Sequence, residues 1–223
     1  MRIVTPWIGR RDALAGLAAA AAAQILPSLP LRAQVRAQGE LPATPRQTEG
    51  PFYPEDWRGD ADNDLVLVKG EAAKALGQVL HVEGRVLQVS GRPIAGAAVE
   101  IWQCDVHGIY RHSSDEGGGR RRDGGFQGRG RTLTDDGGRY RFRTIRPVAY
   151  ASRTPHIHFK IAPQAGRALV TQMYVAGEPS NARDGVLNAI RDPRRRDSVL
   201  VRLQSAEGIE AGALAGRFDI VVG

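Results

Sequence analysis

Residues 156–161 read His-Ile-His-Phe-Lys-Ile, an alternation of polar and apolar side chains. That alternation predicts a half-buried strand. A strand sends residues i and i+2 to one face, about 6.6 Å apart at about 3.3 Å per residue. His156 and His158 therefore share a face, and Ile157, Phe159 and Ile161 pack on the other. Two imidazoles so placed can hold one metal ion at about 2.1 Å from each nitrogen. Two histidines on a solvated strand face would give the same pattern, so the remaining ligands must decide between the two readings.

The chain contains no H-E-x-x-H, and no carboxylate lies near His156 in sequence. A two-histidine, one-carboxylate ferrous site therefore has no local support. The single cysteine, Cys104, sits beside Asp105 at a strand end and reads as a small buried residue. One cysteine also excludes an internal disulfide framework and any multi-cysteine zinc or iron–sulfur site. Two tyrosines lie nearby. Tyr150 precedes His156 after a turn at Pro147, and Tyr110 closes the segment that begins at Trp102. Taken singly, each also reads as a half-buried strand residue.

The elements that must position these residues are short strands. Val79–Val89 is β-rich, Ser90-Gly91-Arg92-Pro93 is a turn, and Ala98–Gln103 is a second strand. A glycine-bearing loop spans about 113–130, followed by Arg131–Thr134, a turn at Asp135–Gly138, and the alternating Arg139–Arg143. Further strands are expected at His156–Ala162, Leu169–Val175, Ser198–Gln204 and Phe218–Val222, with one helical turn at Gly185–Ile190. The 27 glycines and 13 prolines favour turns over a helix bundle. The expected fold is all-β: an antiparallel β-sandwich with long connecting loops, one domain over 39–223.

The 223 residues carry 31 basic and 24 acidic side chains, a net charge of +7. Five arginines against Asp12 place +4 of that excess in residues 1–38. The remaining arginine runs, 120–122 and 194–196, sit beside Gly, Pro and Asp and read as solvated loops, so no nucleic-acid partner is expected. Residues 1–38 have the order of an export signal: Arg10-Arg11, the alanine-rich run Ala13–Leu26, then small residues at Ala33 and Ala37. The paired arginines resemble a twin-arginine signal, which exports folded proteins to the periplasm or beyond. The apolar run is too short to span a bilayer of roughly 30 Å, so no stable membrane span is expected.

Five stretches, in order, resemble the intradiol ring-cleavage dioxygenases, in particular the protocatechuate 3,4-dioxygenase-like branch. They are TEGPFYP at 48–54, GRPIAGAAVEIWQCDVHGIYRH at 91–112, FQGRGRTLTDDGGRYRFRTIRP at 126–147, YASRTPHIHFKI at 150–161 and TQMY at 171–174. The resemblance implies a β-sandwich holding one mononuclear Fe(III) per chain. Tyr110, Tyr150, His156 and His158 match its ligand positions, Arg153 its active-site arginine and Gln172 its second-sphere glutamine. Phe52, Tyr53, Trp102 and Ile109 are expected to line or buttress the pocket, and His107 and His112 to be loop residues.

The chemistry implied is insertion of both atoms of O2 into a catechol, protocatechuate or hydroxyquinol, giving a cis,cis-muconate-type diacid. Phenolate is a hard donor suited to a trivalent cation, and a nearby multivalent charge can strip a phenol whose pKa is ordinarily near 10. Fe(III), two phenolates and one hydroxide sum to zero charge, which suits a low-dielectric interior. The partners expected are the diol and O2, and a homo-oligomer is left open. Three differences from the family fall where substrate shape is read. They are the short loop between Tyr150 and His156, the missing counterpart of the helical dimerisation domain of catechol 1,2-dioxygenases, and the Gly/Arg insert at 113–125. Two other readings compete. A non-catalytic prealbumin-like binding module needs none of the four ligands, and a zinc hydrolase on His156 and His158 leaves both tyrosines idle.

Overall fold

The sequence VLHVEGRVLQ forms the longest strand because its apolar and polar residues alternate. Leu80, Val82 and Val86 are wholly buried, while Glu83 faces solvent. This strand, β1 (Val79–Gln88), belongs to a computed structural model that describes residues 39–223. The segment read as an export signal, 1–38, lies outside the described residues. The strands that follow are β2 (Ala98–Trp102), β3 (Arg129–Leu133), β4 (Arg139–Ile145), β5 (His156–Ala162) and β6 (Leu169–Val175). Two short helices, α1 (Gly185–Asn188) and α2 (Pro193–Asp197), precede β7 (Leu200–Val201), β8 (Gln204–Ser205), β9 (Leu214–Arg217) and β10 (Ile220–Val222).

Among the described residues, ten strands make two five-stranded sheets. One follows the order β10-β1-β9-β8, with β4 also paired to β1; the other runs β3-β2-β5-β6-β7. Ile157, Phe159 and Ile161 of β5 point into one hydrophobic core with Leu80, Val82 and Phe142 of the first sheet. Phe159 meets Phe218 edge-on at 5.1 Å and Tyr140 at 6.0 Å, so aromatic contacts join the two layers.

The sandwich is mixed rather than antiparallel. β1 pairs in parallel with β9 and β10, and β6 pairs in parallel with β7. The cause is the C-terminal stretch, which returns to β1 by a long connection instead of a hairpin. Ser198–Gln204 does not form one strand. Only Leu200–Val201 pairs with β6, and Gln204–Ser205 pairs with β9. β9 reads Leu-Ala-Gly-Arg, which carries little β propensity and gives no sequence signal. Arg194–Arg196 are part of α2 rather than a loop, with Asp192 as N-cap and Pro193 in the first turn. Among the described residues, no helix is long and apolar enough to cross a membrane.

The outer face of the second sheet is what positions the site. In register across it stand Trp102 opposite His158, His158 opposite Gln172, and His156 opposite Tyr174. A strap, residues 47–57, crosses this face. Gln47 donates its backbone N–H to the Val170 carbonyl (2.9 Å). Lys160 Nζ donates to Glu49 (2.8 Å) and lies 4.0 Å from the centre of the Tyr53 ring. Tyr53 donates to Glu100 (2.8 Å), and Arg131 lies over the Trp57 ring. Gly50 has φ +75°, and a Cβ there would stand 3.4 Å from His158 Cε1. Glycine lets the strap turn against the imidazole without backbone strain.

Tyr140 donates its buried hydroxyl to the Phe218 carbonyl (2.5 Å). Tyr140→Phe leaves that carbonyl unpartnered in a dry core, at a cost of about 1–3 kcal/mol. Urea unfolding of the two proteins should show a lower midpoint for the variant at an unchanged slope.

Candidate functional site

His156 and His158 share the outer face of β5, as alternation requires, but that face is not solvated. They are 1% and 2% exposed, beneath the strap. Trp102 stacks on His158 with ring centres 4.8 Å apart and planes at 10°. His156 Nδ1 lies 2.6 Å from the Thr154 carbonyl, so Nδ1 carries the proton and Nε2 presents its lone pair. The two Nε2 atoms are 3.2 Å apart. Burial pulls the His156 imidazole down to about 4, with Arg153 acting in the same direction. Burial, then His156 and Arg153, holds His158 well below its ordinary value. Both rings are therefore neutral near neutrality, the form that binds metal.

Tyr110 reaches the same place from the loop after β2. Asp105, 1% exposed, accepts backbone N–H bonds from His107, Ile109 and Asp123 at 2.8–3.0 Å and so folds the turn. Asp115 then accepts the Tyr110 N–H (2.8 Å). Tyr150 is carried by a tight turn in which Arg153 donates its N–H to the Tyr150 carbonyl (2.8 Å) and Ala151 takes φ +48°. The tyrosine rings meet edge-on at 5.1 Å; Tyr110 stands 6.0 Å from His158, and Tyr150 stands 5.6 Å from His156. The structure thus brings together all four residues picked out as metal ligands.

The donor set fits a trivalent cation. The Tyr110 hydroxyl is buried and has no hydrogen-bond partner. An orphaned buried hydroxyl calls for an explanation, and a bound ion is one. Two nitrogens 3.2 Å apart suit neighbouring ligands of one ion at about 2.1 Å. Burial pushes the Tyr110 phenol well above its ordinary value. It also raises Tyr150, against the opposing pull of Arg153. Neither phenol ionises here without a strong local positive charge. Among the described residues, no cluster of three or more His, Cys, Asp or Glu could hold a metal, so a metal at this place depends on the tyrosines.

Beside the four lies a polar layer. Arg153 Nε donates to Asp184 (2.8 Å), and its Nη2 donates to Gln172 Oε1 (2.6 Å). Gln172 also accepts from the Tyr174 hydroxyl (2.9 Å) and donates through Nε2 to the Thr48 carbonyl (3.1 Å). Sequence reasoning reached Arg153 and Gln172 but not Asp184, which is wholly buried. Its signal was an acidic residue directly before a helical turn: Asp184 caps α1 through Val186 and Leu187. Tyr174 and Gln47, which donates to the Tyr174 hydroxyl (2.7 Å), were also missed.

Phe52 stacks on Tyr110 at 4.8 Å, and Tyr53 meets Trp102 edge-on at 5.0 Å. Ile109 is buried and touches the insert, where a Cβ on Gly117 would meet its Cδ1. His107 and His112 lie in the loop. His112 contacts the Phe52 ring and pairs with Glu55 at 3.8 Å. Cys104 is buried with Trp102 and Tyr110, and burial pushes its thiol up to about 12, so it stays protonated.

A family model described as Dioxygenase matches residues 48–223. The protocatechuate 3,4-dioxygenase beta chain of Burkholderia cepacia is 35% identical over 204 residues, covering 88% of this chain and 82% of that one. Hydroxyquinol 1,2-dioxygenase of Rhodococcus opacus is 31% identical over 175 residues, and the match spans 70% of this chain but only 54% of the relative. Among solved structures, the dioxygenase domain of a dioxygenase–carbohydrate-binding protein fusion from Streptomyces sp. SirexAA-E superposes with a TM-score of 0.60. It is 31% identical, with 81% of this chain and 98% of that one covered.

Burial of neutral imidazoles has a measurable consequence for the metal-free protein. His156 titrates near 4 when folded against an ordinary 6.5, so the unfolded chain takes up a proton that the folded one refuses. Stability from this source is complete above about 6.5 and is lost as pH falls towards about 4. Urea midpoints across that window should fall with acidification, and less steeply for His156→Gln. A flat profile would mean the imidazoles are solvated.

Proposed function

The chain belongs to the intradiol ring-cleavage dioxygenases, a family of oxidoreductases, and from that premise we propose that it cleaves a catechol-type aromatic diol with O2. One ferric ion held by Tyr110, Tyr150, His156 and His158 is part of the proposal. The observation that carries it is the convergence of three buried, uncharged donors and the half-buried Tyr150, with the Tyr110 hydroxyl left unpartnered. A non-catalytic binding module would have no reason to desolvate that set.

The ferric ion, when bound, supplies Lewis acidity towards both diol oxygens and makes the ring reactive to O2. The protein's own part follows from the residues. Tyr150 is the less buried of the two phenols and lies beside Arg153, which makes it the one able to withdraw and accept a diol proton at Oη. Tyr110, wholly buried under Phe52, stays in place. Arg153 is fixed by Asp184 and Gln172, and its Nη1 makes no hydrogen bond among the described residues. A fixed cation of this kind stabilises negative charge that develops on the reacting diol without reorganising. Phe52 of the strap and Trp102 cover Tyr110 and His158 and keep these two donors out of water. Diol plus O2 balances to the ring-opened diacid, so no external reductant is needed.

His158→Ala removes a donor that no neighbour replaces. Protein from iron-supplied cells should lose its iron and its phenolate-to-iron absorption, with an unchanged far-ultraviolet spectrum. Stoichiometric zinc in the parent protein would overturn the iron assignment. O2 uptake with catechol, protocatechuate and hydroxyquinol tests the reaction itself.

We also propose export by a twin-arginine route, on the strength of Arg10-Arg11 ahead of the Ala13–Leu26 run. Replacing both arginines by lysine should retain the protein in the cytoplasm. Equal periplasmic yield from the two would refute it.

A further inference from the structure

Arg153 is held at two points. Nε donates to Asp184 Oδ2 (2.8 Å), and Nη2 donates to Gln172 Oε1 (2.6 Å). Asp184 has no oxygen to spare for a second nitrogen. Its Oδ2 also accepts the Thr154 N–H (3.0 Å), and its Oδ1 accepts the N–H groups of Val186 (3.0 Å) and Leu187 (2.9 Å). One bond at Nε leaves the guanidinium plane free to turn, so the Gln172 amide sets that plane.

What sets the amide lies further out, and each hydrogen bond on the way has only one possible direction. The Gln172 backbone N–H can only donate, and it donates to Gln47 Oε1 (3.0 Å). The Gln47 amide is thereby oriented with Nε2 on the Tyr174 hydroxyl (2.7 Å). Arg153 Nη2, 3.4 Å from the same hydroxyl, is also a donor. The single Tyr174 proton is therefore left for Gln172 Oε1 (2.9 Å). On its other side Gln172 Nε2 donates to the Thr48 carbonyl (3.1 Å), which can only accept. Burial raises the Tyr174 phenol against the opposing pull of Arg153, so the proton stays on its oxygen. Tyr174 and Gln172 are wholly buried, where water does not compete for these bonds. Gln47 belongs to the strap, 125 positions away from Gln172.

We propose that Gln47 and Tyr174 are positioning residues: Gln47 directs the Tyr174 proton, that proton fixes the Gln172 amide, and the amide fixes the plane of Arg153. The consequence for turnover rests on the diol-cleaving reading; the tether itself does not.

Two variants break the relay differently. Tyr174→Phe deletes the proton. Gln47→Glu keeps an acceptor for the Gln172 N–H but turns a second acceptor towards Tyr174, which draws the proton away from Gln172. The first readout is nuclear magnetic resonance of the metal-free full chain carrying isotope-labelled arginine. The Arg153 signals are identified by their loss in Arg153→Lys. A tethered guanidinium gives separate Nη1 and Nη2 signals, and a turning one averages them. The parent should show them separate and each variant should show them merged. A parent with merged signals, or a folded variant that keeps them separate, overturns the proposal. If one variant does not fold, the other decides.

In the kinetic arm, each variant should lower kcat for catechol about tenfold, the factor carried by one hydrogen bond to a charged group. KM should stay within about twofold, and iron content should match the parent, since no ligand is touched. The double variant should be no slower than Tyr174→Phe alone, because the carboxylate then has no proton to divert. Additive losses, a matching rise in KM or lost iron would mean a merely structural role and overturn the proposal. Should the parent protein turn over no diol, the cleavage reading falls, and the resonances still judge the tether.

Discussion

Desolvation of uncharged donors, three of them buried and Tyr150 half-buried, is the constraint on which the rest of this structure depends. Imidazole and phenol can be buried at modest cost while neutral, and the protein keeps them so: both histidines are held below their ordinary range and both tyrosines above it. Carboxylates in the same place would demand a cation before the chain could fold. The polar groups that do stay charged, Arg153 and Asp184, are paired one layer away. The charge of the centre is therefore free to be set by what binds there.

The strap is the device that enforces this. A β-sandwich needs only its inner faces covered, and the outer face of the second sheet would ordinarily meet water. Here each central strand of that sheet offers the strap a handle. β6 supplies Val170 and Gln172, β5 supplies Lys160, and β2 supplies Glu100. The handles are polar and the contacts between them are aromatic, so strap and sheet interlock without forming a second core. Trp102 passes the packing of Tyr53 on to His158, so strap placement and imidazole orientation are linked.

Much of this was legible in the sequence, and the reason differs by residue. Period-two alternation marked β4 and β5, because a strand with one wet or covered face records its orientation, while β-rich composition between turn residues marked β1 and β6. The same alternation could not tell a solvated face from a strapped one, since the strap lies a hundred residues away. Parallel pairing of β9 and β10 was invisible, because nothing in a short Gly- or Val-rich strand reports the direction of its neighbour. The four ligands became readable only through ordered motifs. Asp184 escaped because a helix cap and a buried counter-ion are written with the same letter.

The strap's contacts also join the ends of the chain in time. Glu49 meets Lys160 across 111 positions, and Gln47 meets Tyr174 across 127. Loops of that length close slowly and late. A nascent strap therefore has nothing to lie on until β5 and β6 have been made and paired. The histidine-bearing face stays open through that interval and closes over once. Covering of that face therefore follows, rather than precedes, the pairing of the two strands beneath it.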